Sequence, residues 1–229
     1  MGNLVIQTFN TSGQWKCPSG VEAIKIDFIS ECPIFESIDK IDSSGNSLFL
    51  KQNGNIIGLG INNNGQLGDN TTVNKSFPTL TVGNHSFINI SSSDNNSLAL
   101  KQNGEVWAWG NNVVGQLGDN TTDSKLSPVY VIGNHSFVEI SSHTTEILAR
   151  KENGSLWNWG QTFNYGTVIN GGIDQSSPVL VVGNHSFVEI SASKSLDSEH
   201  YNIARKQDGS IWSWGYNSSG NLGNNTTTA

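Results

Sequence analysis

Several features that mark other classes of protein are scarce in this sequence of 229 residues. Charged residues make up only 14% of it, the formal net charge is −7, and Lys and Arg nowhere form a long run. A surface that binds nucleic acid needs clustered basic residues to displace counterions, so direct nucleic-acid binding is disfavoured. No stretch approaches the roughly 20 consecutive apolar residues of a membrane-spanning helix, so we expect no membrane partner either.

Cysteine is also scarce. The sequence has 2 cysteines, Cys17 and Cys32, and both lie near the N-terminus. They could form a disulfide bond or remain reduced thiols, and two ligands alone make a poor zinc site. The N-terminus lacks a basic stretch followed by an apolar stretch, so we expect no secretory signal and favour reduced thiols.

Residue constellations that carry catalysis are missing as well. No Ser/His/Asp or Cys/His arrangement stands apart from the repeats described below, and no phosphate-binding glycine loop precedes a helical stretch. We therefore expect no enzymatic activity, no catalytic residue, no metal site and no cofactor. Helical periodicity is absent, whereas Gly, Asn, Ser and Thr are abundant, which is typical of short strands joined by tight polar turns.

The sequence instead contains an internal repeat of about 50 residues. The pentapeptide Gly-Asn-His-Ser-Phe occurs three times, beginning at Gly83, Gly133 and Gly183. Runs similar to Leu-Ala-Leu-Lys-Gln-Asn-Gly-Glu-Val-Trp-Ala-Trp-Gly lie at 98–110, 148–160 and 203–215. The loop Gly-Gln-Leu-Gly-Asp-Asn-Thr-Thr lies at 65–72 and 115–122, with a near copy at 220–227.

Each unit is predicted to form four short strands. Residues 137–140 alternate apolar and polar side chains, as a half-buried strand does. Asn103-Gly104 lies between two apolar runs and favours a type I′ hairpin. Residues 128–132 supply a last strand that begins with a proline, where a missing N–H costs no ladder bond. Four strands in a unit of this length predict a propeller blade, and a solenoid is the structural alternative.

The sequence therefore predicts an all-β fold, a β-propeller of four-stranded blades with a short N-terminal β segment. The segment covers residues 1–34 and the propeller 35–229, in units near 35–86, 87–136, 137–186 and 187–229. Proline stands at the same place in three units, at Pro78, Pro128 and Pro178, and the fourth unit is expected to lack its last strand. We expect an incomplete ring whose strand edges are covered by the N-terminal segment, a second chain or a larger assembly.

The tryptophan run and the Gly-Gln-Leu-Gly-Asp loop resemble the regulator-of-chromosome-condensation repeat family. The resemblance covers residues 35–229 and implies a propeller, for which the family pattern is roughly seven blades. The four units of this sequence depart from that pattern. By analogy, the resemblance also implies a cellular adaptor or a nucleotide-exchange regulator of a small GTPase, although a fold alone does not define a function.

The N-terminal segment has a different character. Residues 9–26 resemble the Phe-x-x-Ser-Gly-x-Trp-x-x-Pro-x-Gly-Val entry segment of phage tail-fibre and related virion proteins. The resemblance implies a virion attachment module. A β-cap on the first blade is the simpler interpretation, and the two are compatible.

Residues that recur at one repeat position are interpreted as structural. They are the blade tryptophans and the glycines after them: Trp107, Trp109, Gly110, Trp157, Trp159, Gly160, Trp212, Trp214 and Gly215. The repeated histidines lie on successive blades, so we expect turn hydrogen bonds rather than a metal site at His85, His135 and His185. Asp69 and Asp119 lack the spacing of a calcium loop.

Candidate binding residues lie where the repeat breaks, because packing does not demand those changes. Residues 161–174 replace the Gly-Gln-Leu-Gly-Asp loop, and about five extra residues lengthen the fourth unit within 194–201. Tyrosine beside polar residues is typical of contact surfaces, although a tolerated loop insertion is the alternative. The predicted partner-binding residues are Phe163, Asn164, Tyr165, Lys194, Asp197, Glu199, His200 and Tyr201.

Three non-enzymatic functions fit this sequence. The first is a phage virion component, a tail or head fibre that binds other virion proteins or a host-surface receptor or glycan. Such a protein would be located in the virion, as a homo-oligomer or part of a larger assembly. The second is a cytoplasmic adaptor or exchange regulator. The third is an extracellular adhesin or filament subunit whose open strand edges join protomers.

Overall fold

Short strands joined by glycine-containing turns make up the part of the chain that the structure describes. The computed structural model describes residues 37–161, 174–181, 183, 185–193 and 200–228. The chain divides into two units, Met1–Cys32 and Pro33–Ala229, and every strand given below lies in the second. The virion-like residues 9–26, Cys17 and Cys32 lie outside the described residues, so the interpretations placed on them stay predictions.

The strands form four antiparallel sheets, here called blades 1 to 4. Blade 1 contains β1 (Ile38–Ser44), β2 (Asn46–Lys51), β3 (Ile56–Gly60) and β4 (Lys75–Leu80). Blade 2 contains β5 (Phe87–Ser92), β6 (Asn96–Lys101), β7 (Val106–Gly110) and β8 (Lys125–Tyr130). Blade 3 contains β9 (Phe137–Ser142), β10 (Glu146–Lys151), β11 (Leu156–Gly160) and β12 (Gln175–Leu180). Blade 4 contains, among the described residues, β13 (Phe187–Ala192), β14 (Tyr201–Lys206) and β15 (Ile211–Gly215).

Strand order within each blade follows the chain, so strands that are consecutive in the sequence pair with each other, and all these pairs are antiparallel. The first strands of successive blades contact one another, β1 with β5, β5 with β9 and β9 with β13. They therefore form the inner side of the array, and the fourth strands β4, β8 and β12 form its outer edge. This all-β arrangement of four-stranded blades confirms the predicted propeller fold.

The hairpin between the second and third strands differs from the prediction. Gly104 has a φ of +84°, but Asn103 is not among the residues with positive φ, and a type I′ turn needs both. The N–H of Gly104 bonds to the carbonyl of Lys101 and the N–H of Lys101 to the carbonyl of Glu105, both at 2.9 Å. The connection is therefore a longer loop with a left-handed glycine. Asn103 favours it because its side chain accepts the N–H of Glu105 at 3.1 Å.

The fourth strand begins earlier than predicted. β8 runs over Lys125–Tyr130, so that Pro128 lies inside the strand instead of starting it, and Ile132 lies beyond its end. Lys125 pairs with Gly110, and an irregularity between Ala108 and Gly110 shifts the register there. A proline is tolerated inside this strand because it lies at the sheet edge, where its missing N–H opposes no further strand.

The hydrophobic core lies between blades rather than within each one. The cluster between blades 1 and 2 contains Leu48 and Leu67 from the first and Phe87 and Trp109 from the second. Corresponding clusters join blades 2 and 3 and blades 3 and 4. Burying such side chains contributes about 2 kcal/mol each. Because each core needs residues of two blades, one blade stabilises the next, as in repeat proteins generally.

Candidate functional site

A loop after the third strand ties each of the first two blades to the next one. The carbonyl of Gln66 accepts the indole N–H of Trp109 at 2.8 Å and the hydroxyl of Ser97 at 2.7 Å. In the same way, the carbonyl of Gln116 accepts the indole N–H of Trp159 at 3.0 Å. Both indoles are completely buried. These contacts place Trp109 and Trp159 in the packing between successive blades.

A buried asparagine holds this loop in shape. In blade 2 the amide of Asn112 donates to Asp119 Oδ1 and to the carbonyls of Thr121 and Asp123, each at 3.1 Å. Its Oδ1 accepts the backbone N–H of Leu117 at 2.8 Å. This geometry points the fully buried Leu117 into the core between blades 2 and 3. The corresponding asparagines of blades 1 and 4 are Asn62 and Asn217.

Protein groups satisfy the loop aspartates. The carboxylate of Asp69 lies 2.9 Å from Lys75 Nζ and accepts the amide of Asn62 at 2.9 Å. Burial would raise the pKa of Asp69, but hydrogen bonds from Lys75 and its neighbours outweigh burial and lower it. Asp119 and Lys125 form the equivalent pair in blade 2, at 3.5 Å. A lysine thus stands where a bound cation would be needed.

The repeated histidines pack against rings rather than bonding to turns as predicted. The centroid distances are 4.1 Å for His85 and Trp107, 4.2 Å for His135 and Trp157, and 4.4 Å for His185 and Trp212. A lysine Nζ lies over each of these indoles, as Lys101 does at 4.5 Å over Trp107. Burial, followed by the charge of this lysine, lowers the pKa of His85 and His135.

The other predicted structural residues also have identifiable contacts. Trp214 is half-buried and packs on the core between blades 3 and 4, whereas Trp212 is 42% exposed. The blade glycines have positive φ, namely +106° at Gly110, +89° at Gly160 and +112° at Gly215. A Cβ at any of these glycines would collide with a carbonyl oxygen in the turn before the second strand, so the positions require glycine.

The regular packing changes in blade 3 at Asn158. Asn158 pairs with Leu148, and the equivalent positions in blades 1 and 2 are held by Gly58 and Ala108. A small residue fits there because the loop leucine packs above it: a Cβ on Gly58 would lie 2.9 Å from Leu67 Cδ2. Blade 3 has no Gly-Gln-Leu-Gly-Asp loop. A completely buried asparagine replaces the small residue.

Asn158 belongs to a group that we call the polar bridge, formed by Glu146, Asn158 and Asn202. Glu146 Oε1 accepts the amide of Asn158 at 3.1 Å, and Oε2 accepts the amide of Asn202 at 3.0 Å. Because Asn158 lies in β11 and Asn202 in β14, one carboxyl group connects blade 3 to blade 4. In blade 2 the Glu146 position holds Asn96, which instead donates to the carbonyl of Thr144 at 2.7 Å. At the junction of blades 2 and 3 the earlier blade donates this hydrogen bond, whereas at the junction of blades 3 and 4 the earlier blade accepts it.

The carboxyl group of the polar bridge is fully buried. Burial raises the pKa of Glu146, and the hydrogen bonds from Asn202 and Asn158 offset only part of that rise. Within the described residues, Asn158 Oδ1 is buried without a hydrogen-bond partner.

Two buried histidines lie at the same end of the blades. The rings of His143 and His200 have centroids 3.7 Å apart and meet edge to face. His143 precedes β10, and its N–H donates to the carbonyl of Glu146 at 2.8 Å. Burial, followed by the charge of His143, lowers the pKa of His200 to about 4. The ring of His200 is therefore uncharged at neutral pH.

Only two of the eight predicted partner-binding residues are described. His200 is 7% exposed and packs on His143, so the prediction that this ring contacts a partner is corrected. Tyr201 is half-buried as the first residue of β14. The other predicted contacts, Phe163, Asn164, Tyr165, Lys194, Asp197 and Glu199, lie outside the described residues. The polar bridge and His143 were missed, although a strand-by-strand alignment of the units would have marked Asn158 as a polar residue in a small apolar position.

The described ranges also bear on metal binding and on membrane spans. There, no group of three His, Cys, Asp or Glu side chains is arranged to hold a metal ion. The same part of the chain contains no helix of the length and apolarity needed to cross a membrane.

Comparison with known proteins agrees with this geometry. The regulator of chromosome condensation (RCC1) repeat matches residues 53–100 and 103–145, and a second profile of the same repeat matches 87–116. The chain has no significant sequence match among curated proteins.

Solved structures show the same fold. Human WBSCR16 has a TM-score of 0.65 at 19% identity, over 76% of this chain and 45% of that one. Prp20p from Saccharomyces cerevisiae has a TM-score of 0.65 at 20% identity, over 85% and 49%. Yeast RCC1 (Prp20) bound to Kap60 has a TM-score of 0.64 at 20% identity, over 78% and 44%. The chain thus spans less than half the length of these relatives. The described part of this protein is an RCC1-like β-propeller.

Proposed function

We propose that this chain is a non-enzymatic, partner-binding propeller that acts as an adaptor or as a regulator of nucleotide exchange on a small GTPase. We place the partner surface at the end of blades 3 and 4 that carries residues 161–174 and 194–201. The polar bridge supports the proposal, because Asn158 lies in β11, which precedes the first of these segments, and Asn202 in β14, which begins at the end of the second. A buried carboxyl group and two amides stabilise a fold no better than the leucine packing of blades 1 and 2, so packing does not account for the change.

The described residues next to both loops point to one end of the propeller. Gln161 is the first residue of the first loop, and its N–H bonds to the carbonyl of Thr145 at 2.8 Å. His200 lies near the end of the second loop, and its carbonyl accepts the N–H of Tyr216 at 2.7 Å. Thr145 and His200 occupy equivalent turns in successive blades. The two places where the repeat breaks therefore start from neighbouring turns, which is the arrangement expected of one composite surface.

The relatives favour a binding role over the other hypotheses. The structure of Prp20p was described together with its binding properties to Gsp1p and histones. A second structure contains Kap60 bound to yeast RCC1 (Prp20). At 20% identity the likeness concerns the fold, so the class of partner remains part of our proposal.

A loop exchange tests the proposal. Residues 161–174 and 111–124 have equal length and equivalent flanking strands, so the blade 2 loop can replace the blade 3 loop. Adding Asn158→Ala and Glu146→Asn restores the residues that blade 2 has beneath that loop. The matched control replaces residues 111–124 by a second copy of 61–74, which keeps the repeat sequence.

Binding and nucleotide release are then measured for both variants against a panel of purified small GTPases. Accelerated release by the wild-type chain identifies an exchange regulator, and binding without acceleration identifies an adaptor. We expect the blade 3 exchange to abolish binding without changing the circular dichroism spectrum. We expect the control variant to bind as the wild-type chain does. Equal binding by the exchanged and wild-type chains would refute the proposed surface, and failure to bind any GTPase would refute this partner class.

A further inference from the structure

The junction between blades 2 and 3 provides a reference for the next junction along the chain. The N–H of Ser142 in blade 3 donates to Ser91 Oγ in blade 2 at 3.0 Å. Nearby, the amide of Asn96 donates to the carbonyl of Thr144 at 2.7 Å. None of these four groups titrates, so the hydrogen bonds themselves do not depend on pH.

The junction between blades 3 and 4 has an equivalent backbone contact with different neighbours. The N–H of Ala192 in blade 4 donates to Ser141 Oγ in blade 3 at 2.9 Å. Beside it, the polar bridge centres on the carboxyl group of Glu146, and the rings of His143 and His200 touch. Titratable groups thus replace the neutral groups of the preceding junction.

Glu146 and His200 each contact side chains of neighbouring segments. Glu146 faces the amides of Asn158 in β11 and Asn202 in β14, and His200 faces His143. From β13 the uncharged residues Phe187, Ile190 and Ala192 lie in this core. The charged pair at the same junction is Glu139, whose Oε1 accepts the N–H of Ile190 at 3.2 Å, and Arg150, whose Nε lies 2.7 Å from Glu139 Oε2. The charged residues that directly precede His200 in the chain, Lys194, Asp197 and Glu199, lie outside the described residues.

We propose that the junction between blades 3 and 4 is a proton-controlled joint, which loosens when His200 gains a proton and also when Glu146 loses one. The burial of His200 against the ring of His143 disfavours a charge on His200. The burial of the carboxyl group between two amides disfavours its ionised form. This inference concerns the joint itself and does not depend on the proposed partner.

Acid loosens the joint through His200. In the closed joint the pKa of His200 is lowered to about 4, first by burial and then by His143, whereas its ordinary value is 6.5. Opening therefore takes up a proton between these two pH values, and acidification favours the open form. Near pH 4.5, a shift of this size favours opening by on the order of 100-fold.

Alkali loosens the joint through Glu146. Burial raises its pKa above the ordinary value of 4.5 in the closed joint, so opening releases a proton and rising pH favours the open form. The two groups have opposite effects on opening over the pH range in which the protonation of each one differs between the closed and open forms. The wild-type joint is therefore expected to respond weakly to pH there, and a variant that lacks one group should show the response of the other.

Amide hydrogen exchange measured by NMR tests this inference on the whole chain. The reporters are the N–H groups of Ala192 and Ser142, which make equivalent contacts at the two junctions. The first variant is Glu146→Gln, because Asn158 can turn its own amide to pair with the new glutamine amide. The second is His200→Asn, because the equivalent position in blade 2 is Asn95. Exchange is followed from pH 4.5 to 8 and corrected for intrinsic rates.

We expect Glu146→Gln to lose about 40-fold protection at Ala192 between pH 6.5 and 4.5, with Ser142 unchanged. We expect His200→Asn to lose protection at Ala192 as the pH rises, again without a change at Ser142. Equal changes at both amides, or a pH-independent Ala192 in both variants, would overturn the inference. If Glu146→Gln does not fold, Glu146→Asn introduces the residue of blades 1 and 2 and is read in the same way. No partner enters the measurement, so its failure would leave the proposed function untouched.

Discussion

The glycine of the blade hairpin offers a direct measure of how strongly one blade docks on the next. Gly104 and Gly209 occupy the same turn in blades 2 and 4, with φ of +84° and +85°. A Cβ on Gly104 would lie 2.5 Å from Ser136 Oγ and 2.7 Å from Ser136 Cα, in the segment that enters blade 3. None of the described residues lies within 4 Å of a Cβ on Gly209. The added methyl group therefore collides with the segment entering the next blade in Gly104→Ala, whereas in Gly209→Ala it meets none of the described residues.

The expected difference in the free energy of unfolding follows from these contacts. Left-handed backbone strain costs an alanine about 1–2 kcal/mol at either position, and the smaller entropy of the unfolded chain offsets part of it equally. Only Gly104→Ala must also displace Ser136, at about 1–3 kcal/mol for the overlap. It further weakens the 3.0 Å hydrogen bond from the N–H of Phe137 to the carbonyl of Gly104, worth about 1 kcal/mol. Gly104→Ala should therefore cost about 2–4 kcal/mol more than Gly209→Ala.

Urea unfolding followed by tryptophan fluorescence measures this difference. Gly54 and Gly154 make the same close approach to the next blade, with a Cβ 2.6 Å from Ser86 Oγ and Ser186 Oγ, so their alanine variants should behave like Gly104→Ala. Equal losses for Gly104→Ala and Gly209→Ala would refute the reasoning, because they would show that backbone strain alone sets the cost.

Three further predictions concern the loops and the titrating groups. Asn112→Ala leaves a buried N–H unpaired and should lower the free energy of unfolding by about 2–4 kcal/mol, whereas the exposed control Asn63→Ala should change it by less than about 0.5 kcal/mol. Stability should fall as the pH drops below 6.5, because the lowered pKa of His135 lets the unfolded chain bind protons first; His135→Phe should reduce this slope in unfolding experiments. A double-mutant cycle of Glu146→Gln and Asn202→Ser should give a coupling energy of about 1–2 kcal/mol, and values near zero would contradict the contact between them.

The sequence predicted the fold well because its repeat has a clear period and its strands alternate. The errors arose where a local motif allows several geometries. Asn103-Gly104 fits a two-residue turn, but the strands here close through a longer loop that the asparagine side chain also stabilises. Pro128 was assigned to a strand start, although an edge strand also tolerates it internally.

The candidate site could be predicted only in part. Changes in the repeat marked the two loops, since a missing Gly-Gln-Leu-Gly-Asp motif is visible in the sequence itself. The polar bridge was not visible, because Glu146 and Asn202 are 56 residues apart and meet only through packing of adjacent blades. His200 was assigned to the surface because it ends a charged insertion, whereas the structure buries it against His143.

The polar bridge also bears on whether the altered loop of blade 3 is simply a tolerated insertion. Asn158 in the place of alanine is costly unless a buried acceptor such as Glu146 receives its amide, and Glu146 in turn needs the amide of Asn202 from blade 4. Each residue introduced alone would leave a buried polar group unpaired, at about 1–3 kcal/mol. A loop that only tolerates change requires no such matched residues in β10, β11 and β14. The three buried residues therefore depend on one another, and the strands β11 and β14 that carry two of them adjoin the two segments in which the repeat breaks.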